Sequence, residues 1–330
     1  MATSLFYEWI EWWLAIGLSP EEAENYNGQQ GDVWDAHKDM FLATIGAIIT
    51  GLLSATGQLG QLVIQSLVKR IPAENIVALV RNLDKAQALQ QIGIELRQFD
   101  YDQPDTLVPA LQGIDKLLLI SANEIGRRTP QHKAVIDAAV IAKVPYIAYT
   151  SLLNATHSPL GLAEEHRETE ALILASGLSY TLLRNNWYNE NYLANVQHTA
   201  ETGTLYGSAQ DGKISSASRL DYAEAAAKVL SSTGHENKTY ELAGSTSFTL
   251  SDLASYIGQA SGKSVQYQNI SAEDYTQALT TAGLPSELVS VIVDADVQTA
   301  HGAMFSTRED LEQLIGRKTT DIQSQVKSLF

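Results

Sequence analysis

No cysteine occurs among the 330 residues. That excludes disulfides, thiolate metal sites and cysteine nucleophiles, and it fits a reducing compartment. Positive charge is scarce as well: 22 Lys and Arg stand against 38 Asp and Glu, for a formal net charge of −16. So acidic a surface repels phosphate backbones, and nucleic acid is not an expected partner. The basic start of a secretory leader is missing; MATSLFYEWIEWW sets glutamates among aromatics. A long, uniformly apolar run is missing too. No charge occurs from Met40 to Val68, but Thr44, Thr50, Ser54, Thr56, Gln58, Gln61 and Gln65 interrupt the stretch. Only Met40 to Leu53 is strongly apolar, shorter than the roughly 20 residues of a membrane-spanning helix. Membrane contact is expected only through residues 1–54, and a cytoplasmic location for the rest. Catalytic signatures are absent in turn: no tyrosine has lysine four residues later, and neither G-x-S-x-G nor H-E-x-x-H occurs, so hydrolase chemistry lacks support.

What is present is a globular composition, 45% hydrophobic and 18% charged, with two regions of different character. Residues 1–46 hold Trp9, Trp12, Trp13 and Trp34, four of the five tryptophans, in an irregular pattern. After them, strand-length apolar runs recur at 76–80 (IVALV), 116–120 (KLLLI), 146–150 (YIAYT) and 180–184 (YTLLR). Helical patterns at 83–93, 130–142 and 163–177 separate them. Strands alternating with helices predict a doubly wound parallel sheet, and continuous apolar strands predict cover on both faces. Beyond about Tyr188 the pattern changes to helices at 220–231, 249–261, 271–282 and 308–315, with short strands at Tyr240–Leu242 and Val265–Gln268. The fold class expected is α/β, with a smaller α+β lobe: an extension over 1–46, a nucleotide-binding core over 47–188, and mainly a substrate lobe over 189–330 with segments returning to the core.

The stretch IITGLLSATGQLGQLVIQSLVKR (48–70) reads as strand, glycine-containing turn and helix. Backbone N–H groups at a helix N-terminus bind a pyrophosphate, and glycine lets it approach. Alone, Gly57 and Gly60 could simply shape a turn; the following strand IVALV supplies the context. At the end of that strand a carboxylate would bond the ribose 2′-hydroxyl of NAD. Arg81-Asn82 stands there instead, and a guanidinium suits the 2′-phosphate of NADPH. Further strand ends carry Asp100-Tyr101, Ser121-Ala122-Asn123-Glu124 and Thr150-Ser151-Leu152, and should line the same crevice. Without a tyrosine–lysine pair, reduction of an ordinary ketone is disfavoured, whereas a quinone accepts hydride directly if donors polarise its oxygen. In RNNWYNENYL (184–193), amides and aromatics cluster where a planar ring would sit, which makes Asn185 and Tyr188 the candidates beside the reacting rings. His166 and Glu170, with Glu165 and Glu168, are read as a solvated acidic helix face; no metal site is expected.

From Ala55 to Phe330 the chain resembles the bacterial NmrA-like, NADPH-dependent quinone oxidoreductases. The phrases that carry the resemblance are ATGQLG (55–60), VALVRN (77–82), KLLLISANE (116–124), YIAYTSLL (146–153), SPLGLAEEH (158–166), YTLLRNNWYNENYLA (180–194), QDGKISSASR (210–219) and YELAG (240–244). The resemblance implies an atypical short-chain dehydrogenase of Rossmann fold, hydride transfer from NADPH to a quinone, and cofactor contacts at Thr56, Gly57, Gln58, Leu59, Arg81, Ser121, Ala122, Asn123 and onward from Asn185. With the strand-end turns, the expected set adds Ser151, Asn186, Trp187, Tyr188, Asn189 and Glu190. A homodimer is a further expectation. Some NmrA-like proteins are regulators that bind NADP without turnover, and that reading stays open beside the enzyme. Residues 5–50 instead resemble the end of a small bacterial inner-membrane protein family (YjdF-like), so the chain reads as a fusion, and a membrane-tethered product with impaired cofactor binding is a third reading. In the quinone oxidoreductases a glycine stands three residues before the glycine of ATGQLG; here that residue is Ser54, and Gly51 lies three positions too early. The first strand is expected at 47–50 or 49–53.

Overall fold

The computed structural model describes residues 48–330. The expected extension over 1–46 therefore lies outside the described residues, as does most of the stretch expected to touch a membrane. Among the described residues no helix is long and apolar enough to cross a membrane.

Fully buried residues form β1 (Thr50–Leu53), which runs through a tight turn into α1 (Gln58–Leu67). Then follow β2 (Ile76–Val80), α2 (Gln87–Gln91), β3 (Glu95–Gln98), α3 (Leu107–Ala110), β4 (Lys116–Leu119), α4 (Arg128–Ile141), β5 (Tyr146–Leu152), α5 (Ala163–Ala175) and β6 (Ser179–Asn185). The helix expected over 83–93 is broken. Asn82 Oδ1 accepts from the N–H groups of Asp84 and Lys85 and opens a 3-10 turn at Asp84–Ala86, and only the short α2 after it is α-helical. The second half comprises α6 (Asn189–Leu193), α7 (Val196–Thr202), β7 (Thr204–Gly207), α8 (Arg219–Ser231), β8 (Lys238–Leu242), α9 (Leu250–Ser261), β9 (Gln266–Asn269), α10 (Ala272–Thr281), α11 (Ser286–Ala300), α12 (Asp310–Ile315) and α13 (Ile322–Lys327).

Seven strands make one sheet in the order β3-β2-β1-β4-β5-β6-β8, and every pairing is parallel. The segment 240–242, read from sequence as part of the lobe, belongs to β8 and closes this sheet against β6, with Leu183 opposite Tyr240. Leu242 is buried there, and burial at the sheet edge overrides the local reading. The strand order reverses between β1 and β4, which opens a crevice outside their carboxyl ends. The small side chains Ala223, Ala226 and Ala227 of α8 let it pack with Val63 and Leu67 of α1 in the core beneath that crevice. A second core unites Val196, Ile214, Phe248, Leu253, Ile257, Met304 and Val326 with Trp187 and Tyr192, around the two-stranded β7–β9 sheet.

The expected solvated face on α5 is not observed. His166 and Glu170 are each 6% exposed. The Tyr149 hydroxyl meets His166 Nδ1 at 2.7 Å. Glu170 accepts from Ser151 Oγ at 2.6 Å and pairs with Arg184 of β6 at 2.6 Å. Arg184 also pairs with Glu241 of β8 at 2.8 Å. An arginine inside the sheet supplies the counter-charge that lets a carboxylate turn inward.

Among the described residues Asp296 of α11 has no cation partner; its Oδ2 accepts from the Ser208 N–H at 2.8 Å. Burial pushes its pKa up to about 6. The folded chain thus holds this proton more tightly than the unfolded chain, and stability is lost as pH rises between about 4 and 6. Asp296→Asn keeps an acceptor for Ser208 and removes the buried charge. It is expected to stabilise at pH 8 by on the order of 2 kcal/mol and to have little effect at pH 4. Thermal unfolding at the two pH values checks this; an equal shift at both would remove Asp296 ionisation as the cause.

Candidate functional site

The crevice has a volume of about 680 Å³ and is walled by the ends of β1, β2, β3 and β4, the start of α1, and Tyr188 with Arg219. Its floor is the turn 54–57. Ser54 adopts φ +55°, a left-handed conformation that glycine takes without strain. The Gly57 N–H closes the turn on Ser54 O at 2.8 Å. Gly57 is the N-cap of α1 and supplies no side-chain cap, so the first N–H groups of the helix are left for a ligand. Gly60 permits the close packing of turn and helix: a Cβ there would lie 2.3 Å from Ser54 O.

At the end of β2 the crevice is lined by Arg81, Asn82 and Lys85, two cations where an NAD site would place a carboxylate. The Arg81 side chain is 65% exposed, and its Nη1 lies 3.7 Å from Glu124 Oε1. Glu124 also accepts from Gln131 Nε2 at 3.0 Å. Gln131 Oε1, buried in the crevice wall, has no hydrogen-bond partner among the described residues; burial raises the Tyr101 pKa, offset in part by the Ser54 side chain beside its hydroxyl. At the far end the Arg219 guanidinium lies 5.0 Å over the Tyr188 ring. Tyr188 packs edge-on against Tyr222 at 5.4 Å, and burial raises its pKa.

Of the residues singled out from sequence, the structure brings Thr56, Gly57, Gln58, Leu59, Arg81, Ser121, Ala122, Asn123 and Tyr188 together in this lining. It does not bring Ser151, Asn185, Asn186, Trp187, Asn189 or Glu190 there. Ser151 is bonded to Glu170. Asn186 Nδ2 donates to the carbonyls of Ser215 and Met304. Asn189 bonds Thr320 O, Gln325 and Ser216. Glu190 accepts from the Arg219 N–H at 3.0 Å, and Trp187 packs on the second core. The Asn185 side chain bonds Tyr188, and its buried Oδ1 has no partner among the described residues. Sequence reasoning passed over Lys85, Gln131 and Arg219. A Lys three residues beyond the β2 turn was a usable signal; the other two come from helices whose approach to the crevice only the fold reveals.

Residues 54–233 match the model of a family described as NAD(P)H-binding. The chain belongs to this family. Residues 1–58 match a different model, described as a predicted membrane protein (DUF2238). Among NAD(P)H-binding relatives, Quinone oxidoreductase 2 of Escherichia coli K12 is 54% identical over 282 residues, 86% of this chain and 98% of that protein. The crystal structure of the E. coli NADPH-dependent quinone oxidoreductase QOR2 complexed with NADPH superposes with a TM-score of 0.84 at 52% identity, covering 86% of this chain and 100% of that one. Triphenylmethane reductase of Citrobacter sp., complexed with NADP(H), is 36% identical with a TM-score of 0.83, covering 86% of this chain and 100% of that one.

Proposed function

We propose that this chain passes a hydride from NADPH to a quinone. The observation that carries the cofactor reading is Arg81 with Lys85 at the carboxyl end of β2, above a helix start whose N–H groups are uncapped. The close approach at Gly60 and the Gln131 oxygen left without a partner among the described residues fit a bound dinucleotide. The quinone reading rests on the quinone oxidoreductase relative and on the missing tyrosine–lysine pair.

Bound NADPH supplies the hydride. Thr56, Gln58 and Leu59 would hold its pyrophosphate through backbone amides, and Gly57, whose own N–H closes the turn on Ser54 O, would let it approach. Arg81 pairs with the 2′-phosphate, and Ser121, Ala122 and Asn123 border the adjoining sugar. Tyr188, its ring fixed between Arg219 and Tyr222, faces the reacting rings and polarises a quinone oxygen with its hydroxyl. Asn185, outside the crevice lining, bonds the Tyr188 side chain and orients that hydroxyl. Ser151, Asn186, Trp187, Asn189 and Glu190 act as the frame that ties this wall to the lobe. Solvent supplies the proton that completes the hydroquinone. In this reading 47–188 is the cofactor core and 189–330 mainly the substrate lobe. Residues 1–46 are a fused segment of membrane-protein ancestry, and any membrane contact is made through residues 1–54. The catalytic part works in the cytoplasm as a homodimer.

The test is NADPH oxidation with a panel of quinones, with NADPH and NADH titrations beside it. Arg81→Ala should weaken NADPH about tenfold, the loss of one charge-assisted hydrogen-bonded contact, with NADH little changed. Equal loss for both cofactors would refute the phosphate role. Tight NADPH binding without oxidation by any quinone would make the chain a cofactor sensor instead.

A further inference from the structure

The crevice wall at 121–123 leaves the sheet: β4 ends at Leu119, and the backbone groups that follow have no strand to pair with. Buried backbone groups need partners, and here side chains provide them. The Ser121 N–H donates to Thr150 Oγ1 at 2.9 Å. The Ala122 N–H donates to His132 Nε2 at 3.0 Å, and the Ala122 carbonyl accepts from Arg128 Nε at 2.8 Å. Both polar groups of a single residue in the crevice wall are thus held by two successive turns of α4.

We propose that His132 and Arg128 are positioning residues that fix the 121–123 wall against the bound dinucleotide by gripping Ala122 from behind. The inference rests on the NADPH reading above.

The grip is specified a layer further out. His132 is fully buried, and its Nδ1 lies 2.9 Å from Thr169 Oγ1. The Thr169 hydroxyl donates its hydrogen to Glu165 O at 2.8 Å, so the threonine oxygen is left to accept. His132 must then carry its proton on Nδ1, which keeps Nε2 an acceptor for Ala122. Burial, with Arg128 adding to it, pushes the His132 pKa down to about 3, so the neutral ring persists at working pH. Arg128 is held by Glu165, which accepts from its backbone N–H at 3.0 Å and lies 3.6 Å from its Nη1. One stretch of α5 therefore orients both residues of α4. Neither His132 nor Arg128 lines the crevice; they act on it only through Ala122.

The experiment compares NADPH titrations, steady-state kinetics and thermal unfolding for the full chain, His132→Leu, His132→Gln and Arg128→Met. A fifth variant, Tyr146→Phe, removes a buried hydroxyl contact to Thr181 at the opposite end of β5. His132→Leu and Arg128→Met should each raise Kd and KM for NADPH roughly fivefold, the effect of one lost hydrogen bond, with kcat at saturating NADPH within about twofold. His132→Gln, whose amide oxygen can replace Nε2 as acceptor, should recover most of the affinity. Tyr146→Phe should lower the melting temperature and leave Kd alone. Should His132→Leu fail to fold, Arg128→Met carries the same expectation from a helix end. Unchanged Kd in a folded His132→Leu or Arg128→Met, or an equal rise in Tyr146→Phe, overturns the proposal. A parent chain that binds no NADPH overturns the functional reading first, and the proposal with it.

Discussion

Gly60→Ala is expected to reduce NADPH affinity at least a hundredfold while leaving a folded protein. A methyl group there would sit 2.3 Å from Ser54 O and 3.0 Å from Ala55 Cα. Both are backbone atoms, so no side chain can swing aside. Either α1 withdraws from the turn or the turn opens, and in both cases the N–H groups of Gln58 and Leu59 move away from the crevice. Hydrogen bonds to a charged acceptor are worth about 1.5–3 kcal/mol each, so misplacing two gives the hundredfold loss or more. The cost to folding is smaller, about 1–3 kcal/mol for overpacking, because β1 keeps its pairings to β2 and β4 and the α1–α8 core lies below the turn. Cofactor titration with a parallel melting curve checks this. A Kd within threefold of the parent would show that the turn is not the phosphate cradle.

The core of the molecule was legible because parallel strands buried on both faces need apolar residues at every position: IVALV is buried throughout, and it was readable without any partner in view. Helices with strong caps were equally plain. Ser218 with Asp221, and Thr249 with Asp252, form capping boxes at the starts of α8 and α9. Capping alone does not decide legibility: α12 lacks a side-chain cap and is legible, whereas α13, capped by Asp321, and the uncapped α11 are not. The parallel β7–β9 pair lies in a small sheet with one strand largely exposed, where the apolar signal is weak; only β9 was seen. Pairing of β8 with β6 depends on a crossover through α8, which no local pattern encodes. In the crevice, the strand-end rule reached Arg81 and 121–123 because position along a strand fixes position in a doubly wound sheet. The same rule could not tell which way an amide's hydrogen bonds go. Asn186 and Asn189 look like ligand-binding amides, yet they bond backbone more than a hundred residues away. On α5, an acidic helix face read as solvated was inverted by Arg184, whose strand position was known but whose reach toward Glu170 was not.

Ser54→Gly should act in the opposite sense to Gly60→Ala, and in two separable ways. The first is on stability. Ser54 sits at φ +55°, where an L residue with a Cβ pays about 1–2 kcal/mol. Glycine relieves that strain but loses more conformational freedom on folding, which offsets about 0.4–1 kcal/mol. A net gain near 1 kcal/mol is expected, visible as a rise of roughly 2–4 °C in melting temperature. The second is on the cofactor. Backbone strain present both with and without ligand cancels from a dissociation constant, so it cannot by itself weaken binding. In the NADPH reading the side chain can: Ser54 lines the crevice beside Thr56 and Gly57, and its Cβ and its hydroxyl, bonded to Tyr101, narrow the turn that the pyrophosphate would approach. Relief of a forced fit is worth about 1–3 kcal/mol, which is roughly fivefold to somewhat over a hundredfold in Kd. The diagnostic comparison is Ser54→Ala, which keeps the Cβ and the unfavourable φ while removing the hydroxyl. It should recover little of either effect. If Ser54→Gly melts higher but binds NADPH no more tightly, the serine strains the turn without obstructing the site. If neither quantity moves, the turn accommodates serine fully, and the departure at this position has no consequence for the cofactor.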